Sequence, residues 1–278
     1  MFNDDYGAEM AALNYSGLIL ASRADKLDLD EYEEDDIEEG SMDILDPEAK
    51  KRKQRQYSHL YYKPFSTMKN LSDWHFQLAR GESAESVAVG SGWCAVYTDQ
   101  GFLRVFTADG VQKYMMSFSM PIVSMTGYEN QLAIVYHNGL PLFGHQNMKV
   151  RIIDMGGKSF SILADVECPV TRYSNLVWVG YSEEGQIFTY DNEGIVRMLN
   201  PVNNQWIPAL DFNQVHLQNS NGLWIVGIYE NEVLAIELPK NYQAPPPNLK
   251  SFVRRFKLKI PFLDQEKKDV DSKELTLS

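Results

Sequence analysis

Cysteines and long apolar runs are scarce in this sequence. Only Cys94 and Cys168 occur among 278 residues, too few for a secreted fold that depends on disulfides. Both lie in apolar segments typical of strands, where a free cysteine behaves as a small buried hydrophobe. No apolar run approaches the roughly 18 residues that a membrane-spanning helix needs. The sequence therefore predicts an intracellular chain in a reducing compartment, without membrane contact.

Catalytic and metal-binding patterns are also missing. No two of the five histidines show the i, i+4 spacing of a helical zinc site, although His137 and His145 flank the loop at 139–144. Residues 156–159 (GGKS) resemble the end of a phosphate-binding loop, but Ile152 stands where that motif needs glycine, so we predict a hairpin turn. No nucleophile elbow is present. We expect no enzyme activity, no catalytic residue, no metal and no cofactor.

Dense clusters of positive charge occur at two places in the sequence. The net charge is -12, and residues 25–46 alone hold twelve acids and one lysine. Such a stretch cannot bury enough apolar surface to offset the entropy of ordering it, so we predict a disordered insertion at 24–56. The insertion ends near a basic cluster, which is either a nuclear-import signal or a solvated run that balances the acids: Lys50, Lys51, Arg52 and Lys53. A second cluster alternates along a predicted strand and forms a candidate basic face: Arg254, Arg255, Lys257 and Lys259.

One sequence pattern occurs twice. Residues 97–113 and 181–197 align without a gap at an offset of 84 residues, which matches Tyr97 with Tyr181 and Gly101 with Gly185. Weaker echoes at 134–136 and 226–228 indicate a period of about 40–47 residues, the length of a propeller blade. Two alignments remain open. The copies are equivalent strands of two blades, or the last three strands of one blade match the first three of another.

Short segments of alternating polarity, separated by turn signals such as Asp109-Gly110 and Glu193-Gly194, predict an all-β fold. At four strands per period, the fold is a β-propeller of four-stranded antiparallel blades, of which the sequence accounts for about five. We predict a strand, turn and strand at 10–22, and further strands at 59–65, 74–79, 86–89, 93–98, 102–107, 112–118, 122–125, 131–137, 149–154, 159–163, 176–182, 186–190, 195–199, 206–210, 223–229, 232–238 and 252–260.

The expected organisation places the first propeller strands at 1–23, the insertion at 24–56, the main propeller at 57–261 and a polar tail at 262–278. Large aromatic and thioether side chains fill the gap between neighbouring sheets. We therefore predict that these residues pack in the core: Met115, Met116, Met120, Met125, Trp93, Trp178, Trp206 and Trp224.

Residues 90–139, 191–201 and 222–231 resemble the SepB domain of a replisome protein family. Its members are called acidic nucleoplasmic DNA-binding, chromosome transmission fidelity or minichromosome loss proteins, and the resemblance is to the fungal type. It extends from about residue 74 to 261. The resemblance implies a six-bladed propeller that trimerises, in a nuclear, non-enzymatic hub that links the replicative helicase, through GINS, to DNA polymerase α–primase on chromatin.

The sequence departs from that family in two respects. It has no counterpart of the family's N-terminal WD-repeat propeller, and the tail at 262–278 leads to a missing helical bundle, where the family's clients dock. With about five blades, closure of the ring is left open. The alternatives are a propeller that binds DNA or chromatin directly, a generic protein-interaction propeller, and a propeller enzyme or lectin, for which no convergent polar groups are found.

Overall fold

The computed structural model describes residues 7–25, 56–65, 71–157, 159–214, 220–239, 242–246 and 250–259. Most of the predicted insertion and all of the predicted tail lie outside these residues. Within them the chain is all-β, apart from one short 3-10 turn at Phe212–Gln214. The strands are β1 (Met10–Leu13), β2 (Gly17–Ala21), β3 (His59–Pro64), β4 (Trp74–Gln77), β5 (Ala84–Gly90), β6 (Trp93–Thr98), β7 (Phe102–Thr107), β8 (Gln112–Ser117), β9 (Ile122–Tyr128), β10 (Gln131–His137), β11 (Met148–Asp154), β12 (Ser161–Glu167), β13 (Leu176–Tyr181), β14 (Ile187–Asp191), β15 (Ile195–Asn200), β16 (Gln205–Asp211), β17 (Ser220–Tyr229), β18 (Glu232–Pro239) and β19 (Val253–Lys257).

Strands that follow one another in sequence pair with one another, so the topology is a series of meanders. The sheets are β1–β4, β5–β8, β9–β12, β13–β16 and β17–β19. Four have four strands, and the last has three in the part of the chain that the structure describes. Short hairpins explain the order, because antiparallel neighbours need only a tight turn. The predicted all-β propeller of about five antiparallel blades is confirmed.

The chain divides into two compact units. The first comprises residues 1–136 and 153–161, and the second comprises residues 137–152 and 162–278. In the first unit, the core is built around fully buried Tyr62, Phe106 and Leu132. In the second unit, the ring of Phe212 makes T-shaped contacts with Tyr190 and Phe256, at centroid distances of 5.7 and 5.0 Å. This edge-to-face geometry is favourable for aromatic rings.

The predicted core residues divide into buried and exposed ones. Trp93 and Met125 are buried, whereas Met115 and Trp224 are each 45% exposed. The prediction was therefore wrong for Met115 and Trp224. Successive side chains of a strand point to opposite faces, and Trp224 lies between two buried residues of β17. An aromatic or thioether side chain does not by itself identify the buried face.

Both cysteines are free and buried, as the sequence predicted. Burial raises the pKa of the Cys94 thiol and raises that of Cys168 to about 12. Both thiols therefore stay protonated at neutral pH, in the form that is a poor nucleophile.

The sequence repeat joins strands that occupy different positions in their blades. The first copy runs from the end of β6 through β7 to the start of β8, the last three strands of the second sheet. The second copy runs from the end of β13 through β14 to the start of β15, the first three strands of the fourth sheet. Gly101 and Gly185 both turn with a positive φ, 73° and 79°. Each copy of the repeat thus corresponds to a similar pair of successive hairpins. The first copy begins at the second strand of its blade, and the second copy begins at the first strand.

The predicted turn at 156–159 joins β11 and β12, which are neighbours in the third sheet. The Gly156 N–H donates to Oδ1 of Asp154 at 2.9 Å. The segment therefore closes a hairpin, as predicted, and does not open a helix that could hold a phosphate.

Candidate interaction surfaces

The candidate basic face lies on β19, at one side of the fifth sheet. β19 pairs with β18, and the N–H of Leu258 continues the ladder by donating to the carbonyl of Asn231 at 2.8 Å. Phe256 and Leu258 are buried, and the four basic residues around them are exposed. Alternation along the strand places Arg255, Lys257 and Lys259 on one side and Arg254 on the other.

Two of the four cations are neutralised by β18. Arg254 forms an ion pair with Glu237, and its guanidinium lies 5.0 Å from the ring centroid of Phe256. Nη1 of Arg255 lies 3.4 Å from Oε2 of Glu232. Lys257 and Lys259 have no acidic partner among the residues that the structure describes. The remaining positive charge of this face is therefore concentrated on the two lysines.

The other sequence-predicted site, the cluster of Lys50, Lys51, Arg52 and Lys53, lies outside the described residues. Across the described ranges, no group of three or more His, Cys, Asp or Glu side chains is arranged to hold a metal ion. None of the helices in those ranges is long and apolar enough to cross a membrane.

A buried ion pair fixes the loop that precedes the fourth sheet. Asp191, at the end of β14, is 0% exposed. Its Oδ2 accepts hydrogen bonds from Arg197 Nη1 at 2.5 Å, Thr171 Oγ1 at 2.7 Å and the Thr171 N–H at 2.9 Å. Arg197 Nη2 lies 2.9 Å from Thr171 Oγ1. The loop residue Thr171 is thereby tied to both β14 and β15.

The ionisation of Asp191 follows from these partners. Burial alone raises the pKa of its carboxyl group, because the charged form loses water. The hydrogen bonds from Thr171, Arg197 and the Ile195 N–H favour the carboxylate and outweigh that effect, so the pKa lies below its usual range. Asp191 is thus a paired anion at neutral pH.

The second sheet contains another buried ion pair that involves an arginine of the third strand. Arg104 on β7 holds Glu82 with two bonds, Nε to Oε1 at 2.7 Å and Nη2 to Oε2 at 2.6 Å. Glu82 is 3% exposed and precedes β5, as Thr171 precedes β13. In both sheets an arginine on the third strand therefore anchors the loop that leads into the first strand. Neither pair was predicted, because a spacing of 22 residues for Glu82 and Arg104, or of 6 for Asp191 and Arg197, matches no local motif.

Two histidines also form a pair that was not predicted. Nδ1 of His59 lies 2.9 Å from Nε2 of His75, and the rings stack at a centroid distance of 5.0 Å. Partial burial, followed by repulsion from His59, lowers the pKa of His75. The register of β3 and β4 brings these histidines together. Their spacing in the sequence did not predict the contact.

A group of apolar side chains in two loops of the second unit is exposed. Leu140 is 87% exposed, Leu142 65%, Phe143 78% and Tyr173 74%. We call these four residues the apolar loop patch. The first three belong to the β10–β11 loop, and Tyr173 belongs to the loop before β13.

One backbone hydrogen bond and one side-chain hydrogen bond hold the two loops of the patch together. The N–H of Tyr173 donates to the carbonyl of Gly144 at 2.6 Å, and Nε of Arg172 donates to the carbonyl of Phe143 at 2.9 Å. Leu142 and His145 exchange backbone hydrogen bonds of 2.9 Å. A Cβ atom at Gly144 would lie 2.2 Å from the ring of Tyr173, so only glycine allows this approach.

Comparison with protein families provides the remaining observation. The model of the family described as "Minichromosome loss protein, Mcl1, middle region" matches residues 1–262 of this chain. The chain belongs to the minichromosome loss protein family. This match agrees with the resemblance of residues 90–139, 191–201 and 222–231 to the SepB domain of the same family.

Two relatives show that the chain is similar to a segment of longer proteins. Human "WD repeat and HMG-box DNA-binding protein 1" is 37% identical over 207 residues, 74% of this chain and 18% of that protein. "Protein ENHANCER OF LHP1 1" of Arabidopsis thaliana is 27% identical over 266 residues, 95% of this chain and 25% of that protein. The chain thus spans a quarter or less of the length of these relatives.

Solved structures show more distant similarity. The crystal structure of HIRA(644-1017) has a TM-score of 0.44 at 11% identity and covers 74% of this chain and 53% of its own. Pyrococcus horikoshii acylaminoacyl peptidase has a TM-score of 0.48 at 9% identity and covers 94% of this chain and 41% of its own. These similarities do not bear on the function of the family.

Proposed function

We propose that this chain is a non-enzymatic scaffold in DNA replication. It works in the nucleus as a homotrimeric hub that links the replicative helicase, through GINS, to DNA polymerase α–primase at chromatin. The proposal assigns no catalytic group and no cofactor to the chain. The observation that carries it is the match of residues 1–262 to the minichromosome loss protein family.

The mechanism of such a hub is avidity. A trimer presents three copies of each docking surface, so a client that leaves one copy meets another at high effective concentration. Rigid surfaces favour this role, because little conformational entropy is lost when a client binds. The paired arginines of the third strands support it by fixing the loops that join neighbouring sheets.

Mass measurement tests the trimer. Native mass spectrometry and light scattering at micromolar concentration are expected to give three times the mass of the chain. A monomer by both methods would contradict the homotrimer. The bridging assay would then test whether a single copy acts as the scaffold.

A bridging assay tests the hub. GINS is immobilised, DNA polymerase α–primase is added in solution, and this chain, or the full-length protein that contains it, is the only possible link. We expect polymerase to be recovered with GINS only when the link is present. Failure with the full-length protein would contradict the proposal. Success with the full-length protein alone would place client docking outside this chain.

Direct binding of DNA is the second candidate function. It is favoured by Lys257, the last residue of β19, and Lys259, two residues beyond it, which are both exposed without an acidic partner among the described residues. Two lysines supply few phosphate contacts, so this binding would be weak and sensitive to salt.

A further inference from the structure

The apolar loop patch differs from the exposed apolar side chains found singly on most proteins. Four large side chains are exposed at 65% or more, and they come from two loops that contact each other. Scattered apolar side chains need no explanation, whereas contiguous ones mark interaction sites.

The patch is held in a strained and ordered form. Phe143 has a φ of 50° and Tyr173 a φ of 62°, values that bulky residues rarely adopt. Such conformations cost free energy and cluster at functional sites. The positive φ values and the hydrogen bonds between the two loops together hold Phe143 and Tyr173 at the surface.

A cation lies beside the rings. The guanidinium of Arg172 is 4.9 Å from the ring centroid of Tyr173, and its Nε is held by the carbonyl of Phe143. No described carboxylate pairs with Arg172. The patch therefore combines ordered aromatic rings with a fixed, uncompensated positive charge. Tyrosine and arginine are the residue types that contribute most to binding at protein interfaces.

We propose that the apolar loop patch and Arg172 form a docking site for a short segment of a partner protein. The segment carries an apolar side chain that packs on Phe143 and Tyr173, and an Asp or Glu that pairs with the guanidinium of Arg172. Charge complementarity favours an acidic partner. The patch also has only four side chains, whereas a stable interface between two copies takes about 20–30 residues a side. The site goes beyond the proposed hub function and does not depend on trimerisation.

Variants of the whole chain can separate binding from folding. Phe143→Asn removes the ring and suits the positive φ, because asparagine adopts that conformation readily. Arg172→Glu reverses the charge. Val202→Asn is the matched control, since Val202 is 90% exposed in the turn between β15 and β16. Unfolding in urea checks that each variant folds.

The experiment selects binders from a displayed library of random 12-residue peptides on the whole chain and measures their affinity by fluorescence anisotropy. We expect the selected peptides to carry an apolar residue close to Asp or Glu. Phe143→Asn and Arg172→Glu are each expected to weaken binding at least about tenfold, and Val202→Asn to leave it unchanged.

Three results would overturn the proposal. Selected peptides that bind Phe143→Asn as well as the original chain would show that the patch is not their site. A fall in oligomer mass caused by Phe143→Asn would show that a second copy covers it. Displacement of every selected peptide by a synthetic peptide of residues 27–39 would make the patch an internal contact of this chain.

Discussion

The carboxylate of Asp191 is fully buried and lies 2.5 Å from Nη1 of Arg197. The arginine side chain is 13% exposed, so neither charge is well solvated. Arg197 is on the third strand of its sheet, and Thr171 binds the same carboxylate from the loop before the first strand. Asp191, Arg197 and Thr171 together therefore join the third strand to the loop, and no backbone hydrogen bond between that strand and that loop is found among the described residues.

Asp191→Asn is expected to lower the free energy of unfolding by about 3 kcal/mol at neutral pH, because it leaves the Arg197 charge buried without its counter-ion. Urea unfolding measures the loss. Asp165→Asn is the control: its pair with Arg151 is more solvated, with both side chains 29% exposed, and removing it should cost less than about 1 kcal/mol. Equal losses in the two variants would contradict this explanation.

The same pair predicts a dependence on pH. The folded-state pKa of Asp191 is lower than its unfolded value of 3.8, so the unfolded chain binds the proton more readily. The contribution of Asp191 to stability is complete above that unfolded value. It is lost as pH falls from there through the folded-state pKa. The difference in urea stability between the original chain and Asp191→Asn should therefore shrink below about pH 4. A difference that is constant from pH 7 to 3 would contradict the assignment.

Close packing between β5 and β9 predicts the effect of a single methyl group. A Cβ at Gly127 would lie 2.3 Å from the carbonyl oxygen of Val89, a backbone atom that cannot move alone. We expect Gly127→Ala to cost about 2 kcal/mol or more. Gly227→Ala is the matched control, because nothing lies within 4 Å of its Cβ and its backbone is not strained. Thermal unfolding of both variants measures the cost, and an equal loss of stability in the two would contradict a steric overlap at Gly127.

The strands were predictable from sequence, because alternation and turn residues act locally. The predicted bounds of β6, β7 and β10 agree with the structure at both ends. The position of each repeat copy within its blade was not predictable from the repeat. Matching hairpins such as β6–β7 and β13–β14 carry the same glycine turns wherever they lie in a blade. The position of a hairpin within its blade depends on which strand begins each sheet, and long-range packing determines where a sheet begins.

The sites were less predictable than the fold, because they depend on register across strands and loops. The basic residues of β19 could be found by their alternation, but their neutralisation by Glu232 and Glu237 could not, since it depends on the pairing with β18. The sequence did indicate the β10–β11 loop, as the segment between His137 and His145. Its contact with Tyr173, 30 residues beyond Phe143, had no signal in the sequence.

The contact between His59 and His75 predicts a measurable titration. Partial burial and then the charge of His59 lower the pKa of His75, so NMR should give a value below the usual 6.5. His59→Gln removes the charge of His59 and leaves His75 partly buried. The pKa of His75 should therefore rise in this variant and still remain below 6.5. An unchanged pKa would show that the two rings do not interact in solution.

The basic side of β19 allows a direct test of DNA binding. If the exposed lysines contact phosphates, Lys257→Gln with Lys259→Gln should weaken binding to duplex DNA and reduce the slope of log affinity against log salt by about 2, one for each lost contact. Arg254→Gln is the control, because Arg254 is already paired with Glu237 and lies on the other side of the strand. Fluorescence anisotropy across a salt series measures both. If Arg254→Gln has the larger effect, or the double lysine variant leaves the slope unchanged, then DNA does not bind through the lysines of β19.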